Sequence, residues 1–165
     1  RGVTPAELSE VITHLAFYAG WPNALEAARA AHEVFAARGV TADALPPAKL
    51  ALLPLDEAAE AKRATAVAAN AEAVSPGVVH YTAAVVFRDL WLRPALQPRD
   101  RSLVTVSALV AAGQVAQVPF HLNKAMDNGL TREEASELLT QLIFYTGWPS
   151  VFSAIPVFKE VFEGR

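Results

Sequence analysis

The residues best suited to chemistry lie between Pro98 and Pro149, and His121 is the main catalytic candidate among them. A neutral imidazole can both donate and accept a proton, as general acid–base catalysis requires. Pro119 favours the first turn of a helix, so His121 would lie near the positive end of the helix dipole, where imidazolium is disfavoured. An isolated histidine in an apolar segment could equally be packed in a core or lie on the surface.

Arg101 is the second catalytic candidate, because a guanidinium offers two parallel donors that fit a carboxylate or an oxyanion. It lies one helical turn before Thr105, so both side chains share a face, and this face is expected to point toward His121. The alternative is a solvated cluster at the helix start, formed with Arg99 and Asp100.

Further side chains are candidates for contacting a substrate. Gln117 lies one turn before His121, in an apolar segment where a buried amide would need a partner. Gln141 and Tyr145 would share one face of a later helix and could hydrogen-bond a ligand, although Tyr145 could equally be a core aromatic residue. Ser102 lies next to the arginine candidate and joins this set.

The tryptophans and the remaining histidines favour other roles. Trp21, Trp91 and Trp148 are expected to be packing anchors, and Trp91 could also form the wall of a pocket. His32 and His80 are expected on the surface.

Helical patterns position these side chains, and no segment alternates as a strand would, so an all-α fold is predicted. Glycine and proline mark most of the helix ends. The expected elements are helices from Glu57 to Val74 and over about residues 78–91, a helix from Arg99 to Gly113, a helix from Pro119 to Asn128–Gly129, a helix opened by a capping box of Thr131 and Glu134, and a helix after the break at Gly147-Trp148-Pro149.

The sequence contains an internal repeat, in which residues 4–35 recur as residues 131–162 at a constant offset of 127. Each copy predicts a helix, a break and a second helix, which together form a helical hairpin. The identical pairs include Thr4/Thr131, Glu7/Glu134, Glu10/Glu137, Phe17/Phe144, Tyr18/Tyr145, Gly20/Gly147, Trp21/Trp148 and Pro22/Pro149. His14 stands where the second copy has Gln141, and it would share a face with Tyr18. A second polar site at His14 is expected to be open unless another subunit closes it.

The repeat also suggests the domain organisation. Residues 1–39 are interpreted as the hairpin remnant of a first domain copy, residues 40–56 as a proline-rich linker, and residues 57–165 as a complete second copy. The simplest interpretation is a tandem protein of which this chain lacks most of the first copy.

Composition narrows the classes of function. A net charge of −3 without a basic run argues against nucleic acid as a partner. No apolar run is long enough to span a bilayer and no signal peptide is visible, so a cytoplasmic protein is expected. The absence of cysteine excludes disulfides and thiol chemistry, and the four histidines lack metal-ligand spacing, so no metal or other cofactor is expected.

Several motifs in conserved order resemble the carboxymuconolactone decarboxylase family over about residues 60–165. They are Trp91-Leu-Arg-Pro94, Arg101-Ser-Leu-Val-Thr105, His121-Leu-Asn-Lys-Ala125, the segment from Asn128 to Glu134, and Tyr145-Thr-Gly-Trp-Pro149. The resemblance implies an alkylhydroperoxidase D-like helical bundle, assembly into homo-oligomeric rings of three or six subunits, and a role in aromatic catabolism. The related peroxidases carry a CxxC pair where this chain has Gln114 and Gln117 and a glutamate near Ser102, so their redox chemistry is not expected here.

The family's reaction, as the resemblance implies it, is loss of carbon dioxide from 4-carboxymuconolactone. The departing electrons can move through a double bond onto the lactone carbonyl, and a donor such as Arg101 would stabilise the resulting oxyanion. His121 would supply the proton to carbon. The alternative from a different class is a non-catalytic oligomeric scaffold that binds a small molecule.

Overall fold

A computed structural model describes residues 2–165, and the all-α prediction is confirmed because these residues contain helices and no strand. Eight α-helices account for most of the described residues: α1 (Pro5–Tyr18), α2 (Trp21–Ala37), α3 (Glu57–Ala71), α4 (Pro76–Tyr81), α5 (Pro98–Ala111), α6 (Val118–Asp127), α7 (Arg132–Thr146) and α8 (Trp148–Glu163). Short 3₁₀ turns lie at Ala42–Ala44, Leu90–Leu92 and Val115–Gln117. No helix within residues 2–165 is both long and apolar enough to cross a membrane.

The described residues form two compact units. One unit joins the residues up to Leu45 with Leu96–Arg165, and the other consists of Pro46–Ala95. The first unit contains both copies of the repeat, so the first hairpin packs with the helices that carry the candidate residues. The sequence had suggested a separate remnant at residues 1–39, and this grouping gives that segment a packing partner.

The core of the first unit is formed by the apolar faces of α5, α6, α7 and α8. Helix α5 contacts all three of the others, and α1 packs on α5 from a further direction. The core side chains are Val106, Leu109, Val110, Val118, Leu122, Ala125, Leu130, Ala135, Leu138, Val151, Ala154, Phe158 and Val161. On another side of α5, Arg101 and Thr105 are buried against α1.

Both hairpins form by the same local rules. Capping boxes open α1 at Thr4 and α7 at Thr131, as predicted for the second copy. The turn between the helices places Gly20 at φ 88°, ψ 149° and Gly147 at φ 82°, ψ 158°, a region open essentially to glycine alone. The prediction that Trp21 and Trp148 are packing anchors is wrong within this chain, because both side chains are more than half exposed.

Helices α5 and α6 begin and end close to their predicted positions. Gly113 and Gly129 follow their C-terminal ends with φ of 68° and 98°, the left-handed conformation that glycine adopts without a steric penalty. Pro119 lies in the first turn of α6 and places His121 in that turn. The backbone that carries both main candidates is therefore fixed by local signals.

The second unit departs from prediction at residues 78–91, where one continuous helix was expected. Helix α4 ends at Tyr81, a π-helical segment runs over Thr82–Phe87, and a 3₁₀ turn follows at Leu90–Leu92. The β-branched residues of the π segment fit the α-helix less well, which favours a local change of helix type. Phe87 then stacks on Trp91 with ring centroids 5.9 Å apart.

The predicted linker is largely without regular structure, and its residues 46–56 pack within the second unit. The Leu53 N–H donates to the Leu92 carbonyl at 2.8 Å, and the Arg93 guanidinium donates to the Ala48 carbonyl at 3.0 Å. Helix α3 joins the same unit through Arg63, whose guanidinium lies 4.1 Å from the centre of the Phe87 ring.

Candidate functional site

A buried ion pair connects α1 to α5. Arg101 donates from its guanidinium to the Glu10 carboxylate at 3.0 Å, and both side chains are fully buried. A buried charge is stable only when it is paired and hydrogen-bonded, so the two residues depend on each other. The first hairpin thereby supplies the counter-charge of the arginine that the sequence marked as catalytic.

His14 lies beside this ion pair and joins it to Thr105. Its Nδ1 atom is 3.2 Å from an Arg101 guanidinium nitrogen, and its Nε2 atom is 2.7 Å from the Thr105 hydroxyl. Since arginine can only donate, Nδ1 is the acceptor and the ring proton is on Nε2, which donates to Thr105. The Thr105 hydroxyl in turn donates to the Arg101 carbonyl at 3.0 Å.

The surroundings of His14 keep its ring neutral. Burial is the largest cause that lowers its pKa from 6.5 to about 3, and the positive charges of Arg101 and of a protonated His121 act in the same direction. The Tyr18 ring stacks on His14 with centroids 4.8 Å apart. His14 is therefore a neutral element of a packed polar cluster.

His121 reaches the same cluster from α6. Its ring meets the Tyr18 ring edge to face at 5.5 Å, and it is 8% exposed, whereas Glu10, His14 and Arg101 are fully buried. The His121 pKa is lowered from 6.5 to about 4, the direction expected for a ring that is neutral at pH 7. Burial is the largest cause and the charge of Lys124 is the second.

The expectation for His14 needs a correction. An open second site was predicted, but the first hairpin lies on α5 of this same chain and the His14 side chain is completely buried. The physical reason is that Glu10, His14 and Tyr18 recur every four residues and form one face, which Arg101 and Thr105 complement. The polar cluster thus combines α1, from the first copy of the repeat, with α5 and α6, which precede the second copy.

Ser102 is buried and fully occupied with structural hydrogen bonds. Its hydroxyl donates to the Pro98 carbonyl at 2.8 Å and accepts from the Asn128 side-chain amide at 2.9 Å. These bonds hold the start of α5 to the end of α6. Arg99, close by, pairs with Asp100 and with Glu134 of α7, in agreement with a partly exposed cluster at the helix start.

The other predicted ligand contacts are not gathered at this cluster. Gln114 and Gln117 are exposed at the 3₁₀ turn before α6, so neither amide requires a protein partner. Gln141 and Tyr145 lie on an exposed face of α7, and at 78% exposure Tyr145 is not a core residue within this chain. Trp91 is buried within the second unit.

Sequence reasoning did not select Glu10, Tyr18 or Thr105 as members of the site. The signal was present in the spacing, because Glu10, His14 and Tyr18 lie four residues apart on α1 and Arg101 and Thr105 lie four apart on α5. An acid on one helix and an arginine on another, both in otherwise apolar patterns, indicate helices that bury an ion pair between them. Within residues 2–165 no three acidic or histidine side chains are grouped as metal ligands would be.

The cluster holds the neutral, weakly basic imidazole of His121 next to the phenol ring of Tyr18, and Arg101 is its buried cation. A neutral ring of this kind can exchange one proton with a bound molecule or relay it through water. The Arg101–Glu10 pair below it fixes the orientation of α1, and with it the Tyr18 ring that touches His121.

Comparison with known proteins identifies the family. The chain is 36% identical over 75 residues to a 4-carboxymuconolactone decarboxylase of Acinetobacter baylyi (strain ATCC 33305 / BD413 / ADP1). The matched segment covers 46% of this chain and 56% of that protein. The chain is 31% identical over 68 residues to the nitrosuccinic acid decarboxylase npaB of Metarhizium robertsii (strain ARSEF 23 / ATCC MYA-3075), which covers 41% of this chain and 48% of that protein. The chain thus spans about half the length of the curated relatives it matches.

The family model for carboxymuconolactone decarboxylases matches residues 1–33 and 76–160, which include most of both copies of the hairpin. The two matched segments contain every member of the polar cluster around His14 and His121. The chain therefore belongs to the carboxymuconolactone decarboxylase family.

Proposed function

We propose that this protein is a cofactor-independent decarboxylase that acts on a small carboxylic acid related to 4-carboxymuconolactone. The relatives named above are decarboxylases of acids that carry an electron-withdrawing lactone or nitro group. The observation that carries the proposal is the position of His121, a neutral histidine with residual exposure at the edge of a buried cluster. A bound molecule that enters from solvent would meet His121 before the fully buried residues.

In the proposed reaction the bond between the substrate carbon and its carboxylate breaks. The electron pair moves through the adjacent double bond onto the lactone carbonyl, carbon dioxide leaves, and a proton adds to carbon. His121 donates its ring proton to carbon while its other nitrogen accepts a proton from water, so that the ring ends neutral and the resulting hydroxide combines with the released carbon dioxide as bicarbonate. This relay suits a ring whose pKa of about 4 leaves little imidazolium at neutral pH.

Arg101 enters the proposal as the cation that attracts the substrate carboxylate or the developing oxyanion. Its guanidinium contacts Glu10 and His14, so a substrate anion would have to join or replace one of these contacts. A donor directed at the oxyanion in a site without water lowers the activation free energy by about 3 kcal/mol. Tyr18, which touches both histidine rings, is the neighbour that would contact the same substrate.

The test is the rate of decarboxylation of 4-carboxymuconolactone by the His121→Gln variant. Loss of a general acid or base lowers the rate by about 100-fold to 10,000-fold, so we expect kcat/KM to fall within this range. His32→Gln is the matched control, because His32 is exposed on α2 and should leave the rate unchanged. Unchanged turnover by a folded His121→Gln protein would refute the assignment.

The same assay separates the proposal from its alternatives. A protein that binds the lactone without any turnover would be a small-molecule-binding scaffold, an interpretation supported by the complete burial of Arg101 and His14. Turnover of a peroxide with a dithiol donor would indicate peroxidase activity, which the absence of cysteine disfavours.

A further inference from the structure

The exposed side of α7 corresponds in sequence to the face of α1 that is buried against α5. This α7 face is defined here by Glu137, Gln141 and Tyr145. From the difference between the two copies of the repeat, we infer that the α7 face binds an α5-type helix, carrying an arginine and a hydroxyl or amide residue four positions later, from another domain of the same family.

The equivalence between the two faces is exact in sequence position. An offset of 127 relates Glu10 to Glu137 and Tyr18 to Tyr145, and the residue types are identical. The remaining position is His14 in one copy and Gln141 in the other, and either side chain can donate and accept a hydrogen bond. The faces therefore present the same chemistry.

The environments of the two faces differ completely. Glu10 is fully buried on α1, whereas Glu137 is exposed and Tyr145 is 78% exposed on α7. The hairpin turns do not differ in this way, because Trp21 is 61% exposed and Trp148 is 59% exposed. On the α7 face, no helix of the described residues takes the place that α5 has on α1.

Charge complementarity identifies the missing helix. On α1 the acid is neutralised by Arg101, and the residue at position 14 is hydrogen-bonded by Thr105 one turn later. No basic side chain within residues 2–165 forms an ion pair with Glu137. An arginine followed four residues later by a threonine would engage Glu137 and Gln141 as α5 engages Glu10 and His14.

A second copy of this same chain does not offer such a helix. The arginine-bearing face of α5 is already covered by α1, and its ion pair is closed to solvent. The partner must therefore present an α5-type helix that has no hairpin of its own on it. The same polar cluster would then form twice, once on each α5-type helix.

The experiment measures binding of a labelled peptide to the full chain by fluorescence anisotropy. The probe is a peptide of residues 96–128, which spans α5 and α6. We expect saturable binding that Glu137→Gln weakens by about tenfold or more, because it removes one partner of a desolvated charge pair. Tyr145→Ala should also weaken it, as should Arg101→Gln in the peptide. Glu160→Gln on α8 is the matched control, an exposed glutamate outside the α7 face.

Two outcomes would overturn the inference. One is the absence of saturable binding, or binding that Glu137→Gln and Tyr145→Ala leave unchanged. The other is self-association of the full chain, measured by sedimentation equilibrium, that Tyr145→Glu abolishes, because the occupant would then be a second copy. The substitutions in the full chain, at Glu137, Tyr145 and Glu160, all change exposed side chains, so these variants should fold as the parent protein does.

Discussion

At the scale of single residues, His14 and His121 have different surroundings although both rings are neutral. Both nitrogens of His14 are engaged, one by Arg101 and one by Thr105, so this ring links α1 to α5. His121 contacts the Tyr18 ring and retains some exposure. In the proposed reaction, proton exchange with a bound molecule would therefore fall to His121, and His14 would position the helices.

The lowered pKa values of both rings predict how stability depends on pH. Below pH 6.5 the unfolded state binds protons that the folded state resists until about pH 4 at His121 and about pH 3 at His14. The free energy of unfolding should therefore be largest above pH 6.5 and fall as the pH is lowered through this window. Each ring contributes about 1.4 kcal/mol per pH unit where its protonation differs fully between the two states.

Urea unfolding between pH 5 and pH 7 tests this dependence. The window lies above the range of Asp43 and Glu134, whose pKa values are lowered by hydrogen bonds from their ordinary values of 3.8 and 4.5. His121→Gln should remove about half of the slope near pH 5. A stability that does not change across the window would contradict the burial of neutral rings.

At the scale of helices and turns, the two hairpins share one unusual backbone conformation. Gly20 and Gly147 both combine φ near +85° with extended ψ, and a proline is the second residue of the helix that follows. A β-carbon at either glycine would meet only a proline δ-carbon, at 3.8 Å for Gly20 and 3.7 Å for Gly147. Glycine is required at these positions by the backbone angles and not by crowding.

Gly20→Ala and Gly147→Ala should each lower the free energy of unfolding by about 1–3 kcal/mol, the cost of holding a non-glycine residue in this region. Gly77→Ala is the control, because Gly77 lies in α4 without a positive φ and its added β-carbon would meet open space. Chemical denaturation of the three variants measures the difference. Equal stability of Gly147→Ala and Gly77→Ala would contradict the strained turn.

Helix ends could be predicted from sequence because their causes are local. The capping box at Thr131, Pro119 at the start of α6 and Gly113 after α5 all act within one or two turns. The packing of α1 on α5 could not be predicted in this way, because its determinants, Glu10 and Arg101, are 91 residues apart in the chain. His121 was selected by its local setting, and Tyr18 beside it depends on that distant contact.

At the scale of the whole molecule, duplication places one sequence pattern in two environments. The face of Glu10, His14 and Tyr18 on α1 packs against α5. The equivalent α7 face is exposed. A sequence comparison alone treats Glu10 and Glu137 as equivalent, because both are acids at the same position of the same hairpin. Their contributions to stability differ in this chain because Arg101 of α5 pairs with Glu10, whereas no basic side chain within residues 2–165 pairs with Glu137.

The two acids therefore provide a matched pair of substitutions. Glu10→Gln leaves the Arg101 charge buried without its carboxylate, and the loss of one partner of a buried ion pair costs about 3–5 kcal/mol. Glu137→Gln changes an exposed side chain, and such substitutions alter stability by no more than about 0.5 kcal/mol. Urea unfolding of both variants at pH 7 measures the difference. If they unfolded at the same urea concentration, the packing of the first hairpin on α5 would be wrong, and with it the contribution of that hairpin to the candidate site.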